Sequence, residues 1–491
     1  MLIDFLNTIL PPRLAFIIVL IYFFTVLSTA IMVVHEKRDP AKTSVWVLIL
    51  ILLPIIGLMF YIFFGQNHRK EKIFNRKVIK DLEQIERLSK TQLSDIKTDA
   101  FFTEPSIADN LNIITLLLNN SKALLTLHNQ VEIFQTGKKT FQAIIDTIDK
   151  AEDSIHLVFY IIASDRIGNI IKEKLIKKAR SGVEVRLIYD DVGSWRTSRK
   201  FINELKDAGV EVHPFMKVKF PFLTSKANYR NHRKIIVIDG KVAFMGGMNI
   251  ADRYLEGDES LGMWYDTVLR IDGDTVKMLQ IVFLTDWFFV SKKIVSGKDK
   301  YFPEHIIPET HPIQVTVSGP DSDWASIMQA FFTAITHAKK HIYISTPYFV
   351  PNESILTALK TASLSGVDVR IVLPGKSDST VVYWSSMSYV SELLNAGIKV
   401  YLFQNGFNHS KILMIDTSFS SVGSANMDIR SFEDNFEIMA MIYDAEVTEK
   451  LENQFFRDIK RSKKINATHW NKRPLRQSFN ESVARMFSPL F

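Results

Sequence analysis

One pattern occurs twice in this chain of 491 residues. His232-Arg-Lys234, four residues, Asp239, six residues and Gly246-Gly-Met-Asn249 return 177 positions later as His409-Ser-Lys411, four residues, Asp416, six residues and Gly423-Ser-Ala-Asn426. At ordinary residue frequencies the extended form arises by chance in well under ~0.1% of chains this long. A duplication that repeats reactive side chains predicts one site built from two related halves. The repeat extends outward: Gly182-Val-Glu-Val-Arg-Leu-Ile188 matches Gly366-Val-Asp-Val-Arg-Ile-Val372, and Ala208-Gly-Val-Glu-Val212 matches Ala396-Gly-Ile-Lys-Val400. Strand-like runs alternating with helical patterns indicate an α/β fold with a mostly parallel central sheet. Two such lobes in a pseudo-two-fold arrangement would bring both histidines to one cleft.

Ile235–Ile238 and Ile412–Ile415 are unbroken apolar runs, the pattern of a strand buried on both faces. Side chains alternate along a strand, so His232 and Lys234 share a face, as do His409 and Lys411. Asp239 and Asp416 complete the motif and are counted in its catalytic set, but they lie at odd offsets from the histidines and are expected to face away and pair with backbone or a basic group. An imidazole beside an ammonium, twice, suits displacement at a phosphodiester phosphorus: one histidine attacks, the other protonates the leaving alkoxide and later deprotonates the incoming hydroxyl. The lysines, with Asn249 and Asn426, would surround the non-bridging oxygens where charge builds; the scheme needs no metal and no cofactor. Each ring also needs a group to hold its tautomer. Asp266 follows the first motif and Glu437 the second, each opening a strand-like run where a lone carboxylate would be costly to bury.

These motifs resemble those of the phospholipase D superfamily. The fuller strings Asn231-His-Arg-Lys-Ile235, Gly246-Gly-Met-Asn-Ile-Ala-Asp-Arg-Tyr-Leu255, Thr346-Pro-Tyr-Phe-Val-Pro351 and Asp428-Ile-Arg-Ser-Phe-Glu-Asp-Asn-Phe-Glu437 are similar to its bacterial cardiolipin synthase branch. The similarity covers nearly the whole chain, including Trp46, Pro54, Gly57, Tyr61 and Phe64-Gly65 near the N-terminus and the closing Ser488-Pro-Leu-Phe491. It implies transfer of a phosphatidyl group from one phosphatidylglycerol to another, with His232 as nucleophile and His409 as general acid/base. It further implies that Lys234, Lys411, Asn249 and Asn426 hold the phosphate and that Asp266 and Glu437 orient the rings. Two departures from the family pattern are Gly247, where many members have Ser, and Asn408, where a larger apolar residue is frequent. The alternative within enzymes is a phospholipase D-type hydrolase or a transferase using another alcohol. A nuclease would need a basic groove, and a net charge of +7 is too weak to argue nucleic-acid binding, though it suits an anionic membrane surface. A scaffold with a dead site should have lost a histidine or lysine, and all four are present.

Leu14–Val34 and Val45–Phe64 are uncharged runs long enough to cross a hydrocarbon core of about 30 Å, and read as a transmembrane hairpin within residues 1–68. Ser28-Thr-Ala30 could otherwise pass for a signal cleavage site. Basic residues after the second run, Arg69 to Lys80, outweigh those of the intervening loop, which predicts a multi-pass protein of the bacterial cell membrane with a cytoplasmic catalytic part. The absence of cysteine fits a reducing compartment. Behind the hairpin the expected order is a helical linker over 69–129, lobe 1 over 130–300 and lobe 2 over 301–491, with 291–312 joining the lobes. Phe215–Leu223, with Lys226 and Arg230, interleaves basic and aromatic residues as an interfacial lip would. Oligomeric state is not legible.

Overall fold

The computed structural model describes residues 11–35, 40–52, 57, 61, 80–97, 105–218, 229–295 and 299–488. The N-terminal part and the remainder form two compact units. In the first, the helix Pro12–His35 carries a 20-residue stretch apolar enough to cross a membrane. A second helix, Pro40–Leu52, is 13 residues long, and its Leu50 is buried in a small cluster with Tyr61, Val26, Trp46 and Val47. Most of residues 53–64 lie outside the described residues, so the expected hairpin is shown only in its first span. The basic run from Arg69 and residues 219–228 of the expected lip also lie outside them.

The duplication is explicit in the second unit. Lobe 1 is built on β1 (Asn129–Thr136), β2 (Ser154–Phe159), β3 (Glu184–Asp190), β4 (Glu211–Phe215), β5 (Ile235–Ile238), β6 (Val242–Gly246) and β7 (Trp264–Gly273), paired in the order β1-β7-β6-β5-β2-β3-β4. Lobe 2 is built on β8 (Ile313–Ser318), β9 (His341–Ser345), β10 (Asp368–Pro374), β11 (Lys399–Phe403), β12 (Ile412–Ile415), β13 (Phe419–Gly423) and β14 (Glu437–Ile442), in the equivalent order β8-β14-β13-β12-β9-β10-β11. Each sheet is mixed, which corrects the expectation of mostly parallel strands. Only β2-β3-β4 and β9-β10-β11 run parallel; the other neighbours are antiparallel. The reason is connection length: β5 and β6 are joined by Asp239-Gly240-Lys241 alone, and a link that short permits only a hairpin. Asp239 (φ 52°) and Asp416 (φ 53°) open these hairpins in the left-handed region, which aspartate tolerates better than most residues.

Continuous apolar strands demand cover on both faces. The outer face of lobe 1 packs under helices such as Arg166–Arg180 through Ile167, Ile171 and Leu175. The inner faces of both sheets share one core with two long helices, Asp274–Ser291 and Ala445–Lys460, each following the last strand of its lobe. This shared core makes the lobes one body. Within the expected helical linker, the helix Leu111–Asn120 buries Ile113, Ile114, Leu117 and Leu118 in the outer core of lobe 2, and Leu125–Thr126 adds an edge strand to β8.

Candidate active site

The lobes exchange backbone directly before each histidine. Phe407–Asn408 of lobe 2 pairs in parallel with Trp264–Tyr265, where β7 begins, and Asn231 of lobe 1 bridges Phe436 beside the start of β14. His232 N–H donates to the Phe436 carbonyl (2.9 Å) and His409 N–H to the Tyr265 carbonyl (2.7 Å). Each histidine is therefore clamped at the mouth of the other lobe's last strand, and each meets the other lobe's carboxylate. His232 Nδ1 lies 2.9 Å from Glu437 Oε1, and His409 Nδ1 lies 2.7 Å from Asp266 Oδ2. The acid that follows each motif in sequence thus serves the opposite histidine. With Nδ1 committed, Nε2 is the nitrogen left to each ring. Both rings open on one cavity of about 350 Å³, lined also by Asn249, Asn426, Arg253 and Arg430. A larger groove of about 740 Å³ on lobe 1 contains neither histidine; the paired imidazoles, not the volume, locate the chemistry.

The remaining motif residues fall into two groups. Asn249 and Asn426 line the cavity, Asn249 held by the Ile161 N–H (3.1 Å) and Tyr254 hydroxyl (3.0 Å), whereas buried Asn426 Oδ1 has no hydrogen-bond partner among the described residues. Lys234 and Lys411 are buried beside the histidines. Lys234 Nζ donates to the His232 carbonyl (2.6 Å), and Lys411 Nζ donates to the His409 carbonyl while standing 2.9 Å from its Nδ1. Asp239 and Asp416, part of the motif by spacing, are not in the cleft. Asp239 accepts from the backbone N–H groups of Glu152, Asp153 and Ser154, and Asp416 from those of Lys339, Lys340 and His341, so each ties its hairpin to the first parallel strand of its lobe. Arg230, expected at a lip, is buried against Asp190 (3.4 Å) with its side chain reaching the cavity.

Burial dominates the electrostatics. It pushes both imidazoles below the ordinary histidine value, His409 well below; Glu437 pulls His232 back up, and Lys411 pushes His409 further down. Burial also lowers Lys234 well below its usual range and Lys411 to about 8. The two carboxylates diverge. Burial raises Asp266 to about 6 against the pull of Lys411. Burial raises Glu437 too, but the His232 and Lys234 charges and the Ser424 hydroxyl outweigh it, leaving Glu437 below its usual value. The His232 charge and hydrogen bond lower Glu437 most, and Asp266 gains less from its surroundings; in addition Ser424 donates to Glu437 Oε2, while at the equivalent Gly247 an added Cβ would stand 2.3 Å from Asp266 Oδ1.

Sequence reasoning missed the aromatic and arginine lining. Tyr160 meets the His232 ring edge-on at 5.0 Å, and Tyr254, Trp264 and Tyr348 surround His409 at 6.0, 5.5 and 6.3 Å. Arg253 and Arg430 carried a readable signal, since each stands four residues past its motif asparagine. Among the described residues no three His, Cys, Asp or Glu side chains are placed to share a metal ion.

The fold defines the class first. A phosphatidylserine synthase from Haemophilus influenzae superposes with a TM-score of 0.58 at 14% identity, over 78% of this chain and 97% of that one, a likeness in fold. The family model described as "Cardiolipin synthase, PLD-like domain" matches residues 144–287 and 331–459, and a phospholipase D-nuclease N-terminal model matches residues 15–66. A cardiolipin synthase of Geobacillus sp. (strain WCH70) is 41% identical over 95% of this chain and 92% of its own length. The major cardiolipin synthase of Bacillus subtilis is 39% identical over 96% of this chain and 98% of its own. The chain belongs to the cardiolipin synthase family of phospholipase D-like proteins.

Proposed function

We propose that this chain is a phosphatidyltransferase that condenses two phosphatidylglycerol molecules into cardiolipin and glycerol through a phosphatidyl-histidine. The observation that carries the reading is the pair of imidazoles on one cavity, each held at Nδ1 by the carboxylate of the opposite lobe. His232 Nε2 attacks phosphorus as the bond to the glycerol oxygen breaks, and His409 gives that oxygen its proton. The terminal hydroxyl of a second phosphatidylglycerol then loses its proton to His409 and attacks phosphorus, and the nitrogen–phosphorus bond breaks. Developing charge on the non-bridging oxygens is met by Asn249, Asn426, Arg253 and Arg430 on the cavity wall. Lys234 and Lys411, beside the histidines, bias the imidazoles toward the neutral form in the empty site. A bound phosphodiester reverses that bias, so His409 takes up its proton as substrate arrives.

Water is able to resolve the intermediate, so synthesis requires that the cleft face lipid alcohols. An anchor supplies this by proximity. The helix Pro12–His35 tethers the chain to the membrane; the uncharged composition of 45–64 suits a second crossing, and the basic run from Arg69 suits a cytoplasmic catalytic body. The test follows labelled phosphatidylglycerol in vesicles with purified protein. Cardiolipin and glycerol form in equal amounts, a chelator changes nothing, His232→Ala yields no covalent lipid adduct and His409→Ala slows its turnover. Phosphatidic acid as sole product, or loss on chelation that added metal restores, would overturn the assignment.

A further inference from the structure

The C-terminal helix Leu475–Met486 is inverted relative to a helix on a water-facing surface. Its inward side carries Glu481, only 1% exposed and bound to Arg473 (2.9 Å) and Gln477 (2.9 Å), together with Ala484. Its outward side carries Leu475 at 89%, Phe479 at 68% and Met486 at 78% exposure, with Val483 beside them and Phe487 just beyond. The spacing from 475 to 479, 483 and 486 places these residues on one face. In water alone the hydrophobic effect favours the opposite arrangement, so a contiguous stripe of large apolar side chains marks a contact surface.

The charge around the stripe says what covers it. From residue 459 to residue 480 the chain has no acidic residue, while Arg461, Lys463, Lys464, Lys472 and Arg476 are all exposed. An apolar face on a helix that carries exposed Arg476, with exposed Lys472 just before it, fits the headgroup and acyl boundary of an anionic bilayer. The position relative to the site agrees. The helix is seated on Thr380–Ser388 through a Ser385–Ser488 hydroxyl pair (2.9 Å), while Arg485 covers the Tyr389 ring (4.4 Å). That supporting helix carries Val382 of the cavity wall and follows directly on Asp378, another lining residue. Its Val381 is exposed as well.

We propose that Leu475–Met486 is a second membrane contact, in which the apolar stripe enters the interface of an anionic bilayer and holds the cleft mouth at headgroup level. It goes beyond the reaction proposed above and does not depend on which alcohol is the acceptor.

The absence of cysteine in the chain makes the test direct. Phe479→Cys and, as an aqueous control, Lys200→Cys on lobe 1 each receive a nitroxide in the full chain, reconstituted in phosphatidylglycerol-containing vesicles. At 479 collisions with oxygen should exceed those with a water-soluble nickel chelate, and at 200 the order should reverse. Equal nickel access at both positions overturns the proposal. So does protection at 479 from both quenchers, which would mean cover by protein, or dipolar broadening between labels, which would mean cover by a second copy. Turnover gives an independent readout. The triple variant Leu475→Glu, Phe479→Glu, Met486→Glu should lose about tenfold on vesicles and nothing on a short-chain phosphatidylglycerol dispersed as monomers. Equal losses on both substrates would also refute docking, and an inactive wild type with a lipid-exposed label at 479 would fault the reaction and leave the surface standing.

Discussion

Gly247→Ser isolates the contact between the lobes that sets the His409 ring. A Cβ at position 247 would stand 2.3 Å from Asp266 Oδ1, whereas an ordinary carbon–oxygen contact is about 3.3 Å. The carboxylate must therefore retreat by about 1 Å, which stretches the 2.7 Å bond from His409 Nδ1 past the range of a hydrogen bond. Removing a hydrogen bond to a charged, buried group costs about 1.5–3 kcal/mol, or about 10- to 150-fold in rate if the bond acts in the transition state. The loss should appear in kcat for cardiolipin formation, with thermal stability little changed. Lobe 2 supplies the control, because there Ser424 coexists with a glutamate at the position equivalent to Asp266, as the registers Gly246–Val268 and Gly423–Met439 establish. Gly247→Ser combined with Asp266→Glu rebuilds that arrangement and should recover a substantial part of the rate. A Gly247→Ser enzyme with wild-type kcat, or a double variant no better than the single one, would refute the argument.

Two further outcomes follow from the site's electrostatics and its scaffold. Asp266 sits near pKa 6 because burial raises it, and Lys411 near 8 because burial lowers it. The active form requires the charged carboxylate, so activity is present above about pH 6 and lost as pH falls through it. It declines again as Lys411 loses its proton above about pH 8. A kcat/KM profile flat down to pH 5 would exclude Asp266 as the positioning group. Asp416→Ala removes the acceptor of three backbone N–H groups and should lower unfolding stability by about 2–4 kcal/mol in denaturant titration, while the folded fraction keeps its turnover. Loss of turnover at full stability would return Asp416 to the reacting groups.

The internal repeat made the two-lobed α/β architecture and both cavity histidines legible, because strand burial and motif spacing are local properties of a chain. The structural role of Asp239 and Asp416 also followed from parity alone. What sequence order leaves open is which neighbours meet in space. Asp266 follows His232 and Glu437 follows His409, yet the crossed strands Phe407–Asn408 and Asn231 hand each acid to the other histidine. Lys234 and Lys411, named by the motif, each donate to the carbonyl of the histidine two residues back. The burial of Leu111–Asn120 likewise depends on lobe 2, hundreds of residues away.

The chain's own sequence therefore singled out the side chains that the proposed reaction uses, since a histidine's chemistry travels with the residue. The tertiary structure decided which carboxylate each histidine meets, which cations border the cavity and which apolar face stays uncovered. Those depend on how two lobes and a terminal helix pack, and packing is set by surfaces formed from residues hundreds of positions apart.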